Sequence, residues 1–454
     1  MRDIDSGCVS KSVTIGELID KREATIQTGP FGTMLKASAY VEEGTPVVAV
    51  QHIGENRIIH AGLPKISPED SRRLERYKLQ RGDIVFGRKG AVDRRAYISP
   101  EEEGWIQGSD CIRLRIKSEN FDSKFVSYVL GSPGYREWIC RNAQGATMPS
   151  LNQEIIRRIQ IPFIPIVEQR AVSTILGTFD DKIELNRQMN ETMEVIARTI
   201  FKSWFIDFDP VRSKIEGRKP YGMIEEMAAL FPDSFEDSEL GEIPKGWITS
   251  SLGEFIDLDR GLSYKGANLA ESGIPMVNLG NIVPLGGYRE EGIKFYNGKF
   301  KERHTIKPGN IVIANTDITQ NRQVLGSPAI IPNDLGQENV LFSHHLYAVR
   351  SDGRLPTSYI FNILKAPDYR GRVEGYATGT TVLALPKDAF VDCEIIVPSQ
   401  AILNAFASIC NTFLSLQSVD NIHNKTLASI RNALLPRLIS GEICVEPQRE
   451  KEKV

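Results

Sequence analysis

The stretch from Ile166 to Phe205, IVEQRAVSTILGTFDDKIELNRQMNETMEVIARTIFKSWF, decides the fold of this chain. Its apolar side chains recur every seven residues from Val172, which is typical of a long helix that packs against a partner helix. The same pattern returns near the C-terminus, where Phe406 stands 234 residues after Val172. The side chains that we predict to pair the two helices are Val172, Phe179, Asn186, Met193 and Ile200 in the first copy and Phe406, Phe413, Asp420, Leu427 and Leu434 in the second.

Two members of this series are polar. Asn186 and Asp420 hold equivalent positions in the two copies, where a helix pair normally buries apolar side chains. Each position could be a solvated notch, or the two could form a polar layer that sets the register of the helices. The sequence leaves both interpretations open.

The repeat extends beyond the helices. Gly145 corresponds to Gly379 at the same offset of 234 residues, and further upstream GDIVF (82–86) corresponds to GNIVIA (309–314). A repeat of this length indicates a duplicated domain. Two copies of one lobe-and-helix unit are expected to be related by an approximate two-fold axis, which places the long helices antiparallel.

Each lobe is predicted to have a mixed α and β fold, because short β-like runs such as DCIRLRI (110–116) alternate with helical patches. The segment between the first long helix and the second lobe carries prolines and an excess of acids, so we predict a connector over the surface. The predicted fold class is therefore α+β, with a first lobe at 1–165, a first long helix at 166–205, a linker at 206–247, a second lobe at 248–397, a second long helix at 398–440 and a tail at 441–454.

The composition is that of a water-soluble globular protein, with 41% hydrophobic and 25% charged residues among 454. The start of the chain has no apolar targeting segment, and no uninterrupted apolar run reaches roughly 18 residues, so we expect a cytoplasmic protein without a membrane span. The six cysteines form no CxxC pair, which argues against a zinc site. A net charge of −3 argues against binding nucleic acid through bulk charge alone.

The common catalytic motifs are missing from the sequence. We find no Walker A motif, no GxSxG motif, no HExxH pair and no Asn/Asp-Pro-Pro-aromatic motif of amino-methyltransferases. His344 and His345 lie in a β-like run where neighbouring side chains point to opposite faces, so a shared metal site is not expected there. We therefore predict no catalytic residue, no metal ligand and no cofactor in this chain.

Polar loops at corresponding places in the two lobes are the candidate binding residues. Arginine and lysine suit guanine edges, whereas asparagine and glutamine suit adenine, so one loop could read different bases in the two lobes. The alternatives are solvated turns or contacts to phosphate that carry no sequence information. The candidates are Arg88, Lys89, Arg94 and Arg95 after GDIVF, and Asn315, Thr316, Gln320, Asn321 and Arg322 after GNIVIA.

A further candidate surface is QTGPFGTMLK (27–36), which ends at Lys36. Its glycines allow the backbone to approach a ligand closely. A tight turn explains the same glycines equally well.

Over nearly its whole length the chain resembles the specificity subunits of type I restriction-modification systems, the HsdS family. One departure is that the second half has Ile402 and Leu403 where the first half has Glu168 and Gln169, which puts a family-wide role of that pair in doubt. The segments that carry the resemblance are GATMPSLN (145–152), IPFIPIVEQRAV (161–172), SWFIDFDPVRSK (203–214), ELGEIPKGW (239–247) and LLPRLISGEI (434–443).

The resemblance implies that each lobe is a target recognition domain for one half of a split sequence in double-stranded DNA. It implies that the two helices space the lobes and dock two methyltransferase subunits, which bring S-adenosylmethionine. Restriction and translocase subunits, which use ATP and magnesium, would complete the complex. The alternatives are a stand-alone DNA-modifying enzyme, which needs no partner for activity, and a coiled-coil scaffold, which would not bind DNA.

Overall fold

The computed structural model describes residues 11–31, 34–145, 148–317, 322–333, 335, 340–380, 382–443 and 445. The chain forms two compact units. Unit 1 comprises Met1–Glu184 and Asn424–Val454, and unit 2 comprises Leu185–His423. Each unit therefore contains one lobe together with a segment of each long helix.

The lobe of unit 1 is mixed α and β, as predicted. Its main sheets have the strand orders β2-β10-β7-β8-β5 and β3-β6-β4-β9, and β1 pairs with β11. The helices are α1 Ile15–Asp20, α2 Pro68–Arg73, α3 Ser123–Leu130, α4 Pro133–Asn142 and α5 Gln153–Arg157. The strands are β1 Ser12–Thr14, β2 Ala24–Thr28, β3 Tyr40–Val41, β4 Thr45–Val48, β5 Glu55–Asn56, β6 Lys65–Ile66, β7 Ile84–Gly87, β8 Arg95–Tyr97, β9 Ile106–Gln107, β10 Cys111–Ile116 and β11 Gln160–Pro162.

Strand β7 explains why the GDIVF run is apolar without alternation. Ile84 and Phe86 pack into the core that reaches the long helices, whereas Val85 packs into a second core on the other face of the sheet. A strand covered on both faces reads as a continuous hydrophobic run. The sheet is therefore the middle layer of the lobe.

The first long helix, α6 Ile166–Phe205, confirms the helix predicted from the heptad pattern. Its first turn is anchored by Gln169, whose backbone N–H donates to the carbonyl oxygen of Pro165 at 3.0 Å. The Gln169 side chain is fully buried and accepts from the Asp122 amide at 2.9 Å. The side-chain Nε2 of Gln169 also donates to the carbonyl oxygens of Asn120 and Ile164. Gln169 thus fastens α6 to the first lobe.

The segment 206–247 departs from the prediction of a connector over the surface. It folds into α7 Asp209–Ile215, α8 Glu225–Ala228 and a hairpin of β12 Phe235–Ser238 and β13 Gly241–Pro244. Phe208, Val211 and Trp247 are buried in the core of unit 2. The acids and prolines that suggested a linker lie between these aromatic and aliphatic anchors.

The lobe of unit 2 repeats the first lobe. Its sheets have the orders β15-β24-β20-β22 and β16-β18-β17-β23-β19, while β14 pairs with β26 and β21 with β25. The strands are β14 Ile248–Ser251, β15 Ile256–Arg260, β16 Leu269–Ala270, β17 Ile274–Val277, β18 Lys294–Tyr296, β19 Thr305–Ile306, β20 Ile311–Ala314, β21 Thr316–Asp317, β22 Pro328–Ile330, β23 Val340–Phe342, β24 Leu346–Ser351, β25 Leu383–Ala384 and β26 Glu394–Val397. The helices are α9 Thr357–Lys365, α10 Pro367–Glu374, α11 Asp388–Val391 and the second long helix α12 Gln400–Ile439.

Within unit 1 the two long helices run antiparallel. Val172 and Leu176 of α6 share one core with Leu435 and Leu438 near the end of α12. Further along α6, Asp180 forms an ion pair with Arg431, which lies earlier on α12. Positions in contact therefore rise along one helix while they fall along the other.

Within unit 2 the same antiparallel order holds. Asn190 of α6 contacts α12 twice, since its backbone oxygen accepts from Gln417 at 3.1 Å and its side-chain amide donates to Asn421 at 3.4 Å. Near the end of α6, the ring of Phe201 lies 5.8 Å from that of Phe406. Asn190, which makes the two polar contacts to Gln417 and Asn421, lies one turn after the predicted polar position Asn186.

Helix α12 has the length and composition of a membrane span. It is apolar enough to cross a membrane, and among the described residues it is the one helix with this property. A single helix of this kind is weak evidence for a membrane span, because helices that pack in the core of a protein also have this length and hydropathy. The core contacts of Phe406 and Leu435 account for part of its apolar surface.

The two units hold their helices in different ways. In unit 1 the hydroxyl of Tyr128 on α3 donates to Asp180 at 2.5 Å, and the Asp180 carboxylate also binds Arg431. In unit 2 the helix that corresponds to α3, α9, meets the end of α6 through aromatic side chains, with the ring of Tyr359 at 5.0 Å from that of Phe205. The repeat preserves topology and not the chemistry of packing.

Candidate nucleic-acid interface

Several loops of the first lobe meet at one end of its five-stranded sheet. The antiparallel register pairs Thr28 at the end of β2 with Ile112, and Cys111 at the start of β10 with Gly87 at the end of β7. The loops that follow β2 and β7 and the turn that precedes β10 therefore lie side by side. We call this end of the sheet the loop edge.

The loop after β7 is held at the loop edge by backbone hydrogen bonds. The Arg88 amide donates to the Asp110 carbonyl oxygen at 2.7 Å, and the Leu151 amide donates to the Arg88 carbonyl oxygen at 2.8 Å. Lys89 forms a bridge with Ser150. This backbone pairing fixes where the side chains of Arg88 and Lys89 begin.

Four of the basic residues predicted for the first lobe are accessible. Lys36, Lys89 and Arg94 are exposed, and Arg88 is half-buried. The Lys89 ammonium lies 3.6 Å from the Asp110 carboxylate, so part of its charge is balanced within the lobe. These side chains can offer positive charge to a phosphate or a donor to a base edge.

The prediction for Arg95 is wrong. Its side chain is only 5% exposed, and its Nε donates to the carbonyl oxygen of Ser127. Burial lowers the pKa of Arg95 to about 10, against the opposing influence of Glu55, so the guanidinium stays protonated at neutral pH. Arg95 sits at the start of β8, where its neighbour Ala96 is buried as well. It is a buried structural cation and not a ligand-binding residue.

The glycine-rich run before Lys36 makes a close approach to the protein itself. A Cβ on Gly29 would lie 1.8 Å from the Gly108 carbonyl oxygen, and the Gly29 amide donates to the carbonyl oxygen of Cys111 at 3.0 Å. Close approach to the backbone of the same lobe therefore accounts for Gly29, and a tight turn is not observed at this residue. Lys36 follows it as an exposed residue.

The second lobe has the same loop edge. Thr316 pairs with Ala384 as Lys89 pairs with Ser150, and Thr378 bridges Ala384. The Leu385 amide donates to the Asn315 carbonyl oxygen at 2.8 Å. This repeats the bond between Leu151 and Arg88, so the two loops correspond bond for bond.

The side chains of this second loop are nevertheless internal, which corrects the prediction for two of them. Asn315 is 1% exposed and its amide group donates to the His344 carbonyl oxygen at 3.1 Å. Thr316 is 5% exposed and its hydroxyl lies 2.8 Å from Nδ1 of His345. Both side chains support the neighbouring turn. They cannot reach a base edge without leaving the core.

The remaining candidates of the second loop differ in what can be said of them. Arg322 is exposed and has a positive φ of 51°, a backbone conformation that residues other than glycine rarely adopt. Gln320 and Asn321 lie outside the described residues. The second loop therefore offers Arg322 as its accessible basic side chain among the described positions.

The turn between β23 and β24, Ser343–His345, was not predicted as part of the site. Its histidines lie in a turn and not on a strand, and their ring centroids are 3.9 Å apart with the ring planes tilted by 38°. Burial lowers the pKa of both imidazoles, and the nearby Arg260 lowers them further. The signal available in the sequence was the pair of adjacent histidines. What it could not give was the turn that brings the rings together.

The predicted pairing residues of the long helices are all withdrawn from solvent to some degree. Val172, Asn186, Met193 and Phe406 are buried. Phe179, Ile200, Phe413, Asp420, Leu427 and Leu434 are half-buried.

The long helices also carry apolar side chains that face solvent. On α6 within unit 2, Leu185, Met189 and Ile196 are spaced by four and seven residues and therefore share a helix face. On α12, Leu416 and Val419 are 50% and 48% exposed. Only a large contiguous apolar patch is typical of a surface that binds another protein, since single exposed apolar side chains are common.

The described residues contain no group of three or more His, Cys, Asp or Glu side chains that could hold a metal ion.

Comparisons with known proteins found similar chains. A family model described as the type I restriction modification DNA specificity domain matches residues 11–195. The chain is 24% identical over 420 residues to the type I restriction enzyme MjaIX specificity subunit of Methanocaldococcus jannaschii, covering 85% of this chain and 87% of that one. It is 22% identical over 434 residues to the HindI specificity subunit of Haemophilus influenzae, covering 86% and 92%.

Among solved structures, the S subunit of a type I restriction-modification system from M. genitalium is similar, with a TM-score of 0.48 and 14% identity over 96% of this chain and 97% of that chain.

Proposed function

We propose that this chain, which belongs to the family of type I restriction-modification specificity subunits, selects the DNA sequence on which methyltransferase and restriction subunits act. Its own role is recognition and not catalysis. The chemistry of methylation and cleavage belongs to the partner subunits.

The observation that carries this proposal is the repeated loop edge. In both lobes a loop leaves the central sheet and pairs with a second loop, Lys89 with Ser150 and Thr316 with Ala384. Two rigid copies of one surface with different side chains suit a ligand that has two similar but unequal parts. Double-stranded DNA with a bipartite site is such a ligand, each lobe taking one half-site.

The basic side chains support a role in DNA binding. Lys36, Arg88, Lys89 and Arg94 in the first lobe and Arg322 in the second are available for phosphate or base contacts. The chain has a net charge of −3, so we infer that partner subunits supply much of the charge that neutralises the DNA.

The long helices are proposed as the docking platform for two methyltransferase subunits. The exposed apolar faces that include Met189 and Leu416 provide area for a protein partner. S-adenosylmethionine would then be bound by the methyltransferase subunits, and ATP and magnesium by the restriction and translocase subunits. A cytoplasmic location without a membrane partner is part of the same proposal.

The test is to map methylated bases and footprints with purified components. The chain alone should methylate nothing, and its complex with the methyltransferase subunits should protect a bipartite site and methylate within it. An uninterrupted single footprint, or methylation by the chain alone, would contradict the proposal.

A variant sharpens the test. Replacing Arg88, Lys89 and Arg94 with alanine should relax one half-site and preserve the other. The matched control replaces Lys21 and Lys117, exposed lysines next to the opposite ends of β2 and β10, and should preserve both half-sites. Equal behaviour of the two variants would remove the loop edge from the recognition surface.

A further inference from the structure

The histidine turn, Ser343–His345, replaces an acidic turn of the first lobe. In unit 1 the backbone N–H of Arg88 donates to the carbonyl oxygen of Asp110. In unit 2 the backbone N–H of the corresponding Asn315 donates to the carbonyl oxygen of His345 at 3.0 Å. Likewise Lys89 faces the Asp110 carboxylate, and Thr316 faces the His345 imidazole. The same place in the fold therefore carries a carboxylate in one lobe and an imidazole in the other.

The turn is held from below by buried polar side chains. Asn315 donates to the His344 carbonyl oxygen, and Thr316 contacts Nδ1 of His345 at 2.8 Å. Glycine at 261 lets the backbone pass close by, because a Cβ there would lie 2.2 Å from the Ser343 carbonyl oxygen. The side chains that looked like base readers are therefore the supports of a neighbouring turn.

Three unsatisfied polar atoms lie at this turn. The Asn315 Oδ1, the Ser343 Oγ and the His344 Nδ1 atoms are buried and have no hydrogen-bond partner among the described residues. Asn315 and Ser343 are at most 1% exposed. A buried polar group without a partner destabilises the fold, so each such group calls for a structural or functional explanation.

Cations from two other elements surround the turn. Arg260, exposed at the end of β15, donates through Nε to the His344 carbonyl oxygen at 3.2 Å. Lys294 of β18 donates to the Tyr264 hydroxyl at 2.8 Å, and the Tyr264 ring lies 6.3 Å from the His344 ring. Among the described residues, the titratable groups that act on His345 are the neighbouring His344, Arg260 and Lys294, and none of them is a carboxylate.

This chemistry suits DNA. Arginine and lysine neutralise phosphates, whereas a neutral imidazole can donate to or accept from a base edge. If Nδ1 of His345 accepts a hydrogen bond from the Thr316 hydroxyl, the proton of the neutral imidazole resides on Nε2, and Nε2 is then a donor. Guanine presents acceptors to such a donor in the major groove.

We propose that the second lobe reads its DNA half-site through the histidine turn, with Arg260 and Lys294 contacting phosphates and His345 contacting a base edge. This inference rests on the proposed function of the chain. It relocates recognition in the second lobe from the loop after β20 to the turn before β24.

The test uses the full chain in complex with its methyltransferase subunits, with genomic DNA and S-adenosylmethionine as probes. His345→Ala should relax the methylated motif in one half-site by about fivefold to a hundredfold and leave the other half-site unchanged, as expected for a lost base contact. Lys294→Gln and Arg260→Gln should each weaken binding to all sequences and reduce the slope of log affinity against log salt by about 1. The matched control, Lys307→Gln, removes an exposed charge just before β20, at the opposite end of the sheet from the turn, and should not change that slope.

The outcomes separate the two proposals. If the wild-type complex methylates no bipartite motif, the proposed function fails. If it does, and His345→Ala, Lys294→Gln and Arg260→Gln all behave like Lys307→Gln, the histidine turn is not the reading surface. Because Arg260 is exposed, its variant remains informative even where substitution of His345 unfolds the turn.

Discussion

Arg94 and Arg95 are neighbours with identical side chains and opposite surroundings. Arg94 is exposed beside the loop edge, whereas Arg95 is buried against the carbonyl oxygen of Ser127. The strand that begins at Arg95 decides the difference, because both faces of its sheet are covered, whereas Arg94 lies in the loop before the strand. Charge in a loop next to a strand is therefore not enough to identify a binding residue.

We predict that Arg95→Ala destabilises unit 1 by about 1–3 kcal/mol, since it removes the guanidinium that donates to the carbonyl oxygen of Ser127. Arg94→Ala should leave stability within about 0.5 kcal/mol and reduce the salt dependence of DNA binding by the assembled complex. The loss of stability in Arg95→Ala is measured by chemical denaturation, with hydrogen exchange of the β8 amides as the local probe. Equal losses of stability in the two variants would contradict the assignment.

The candidate site was predictable from sequence only in part. The correspondence of Lys89 with Thr316 gave the right loops, because a duplicated chain keeps its backbone pairing. The burial of Asn315 and Thr316 was not predictable. It depends on the histidine turn, 29 residues away in sequence, against which both side chains pack.

At the scale of elements, the junction of α3 with the long helices is an ion cluster. Arg431 is 7% exposed and binds Asp180, and it lies 3.5 Å from Glu55. Burial alone would lower the pKa of Arg431, but Asp180 and Glu55 raise it above its ordinary value. The cluster is therefore a charged clasp between the lobe of unit 1 and both helices.

We predict that Arg431→Met destabilises unit 1 by about 3–5 kcal/mol, because Asp180 is left charged and partly buried. Adding Asp180→Leu should restore at least half of the loss, since Leu414 holds the equivalent place in the repeat and a buried ion pair can be replaced by apolar groups. A double-mutant cycle of unfolding free energies measures this. Strictly additive losses would contradict the clasp.

The exposed faces of the helices lead to a second prediction at this scale. Leu416→Glu with Val419→Glu should abolish binding of a methyltransferase subunit and leave the thermal unfolding midpoint unchanged within a few degrees, because both side chains face solvent. Asn411→Glu, exposed on another side of α12, is the control. Retained binding by the double variant in a pull-down assay would show that this face is not used.

The long helices were the most predictable elements, because a seven-residue period sustained over about forty positions is produced by few structures besides a paired helix. The segment 206–247 was not predictable in the same way. Phe208, Val211 and Trp247 are separated by acids and prolines that resemble a linker, and they become core residues only through contacts with distant aromatic side chains.

At the scale of the whole molecule, the units do not follow chain order. Unit 1 is completed by residues after Asn424, while unit 2 is a continuous segment. The duplication explains this arrangement, because antiparallel helices return the end of α12 to the lobe from which α6 departs.

We predict that a chain ending at His423 loses the order of unit 1 and keeps that of unit 2. The truncation removes Arg431, Leu435 and Leu438 from the first core, whereas the core of unit 2 loses no described residue. Hydrogen exchange resolved by peptide should show the loss in α3 and β10 and protection in α9 and β24. A chain ending at Val445 is the control, and equal protection in both truncated chains would contradict the division.

Arg431 also sets the order in which the protein can be finished on the ribosome. At roughly 5–20 residues per second, unit 2 takes some tens of seconds or less to be translated after Asp180 has emerged. Throughout that interval the core of the nascent first lobe, which includes Val172 and Leu176, lacks Leu435 and Leu438. The lobe made first is thus the last to be completed, because its core takes in side chains of α12 that are translated after unit 2.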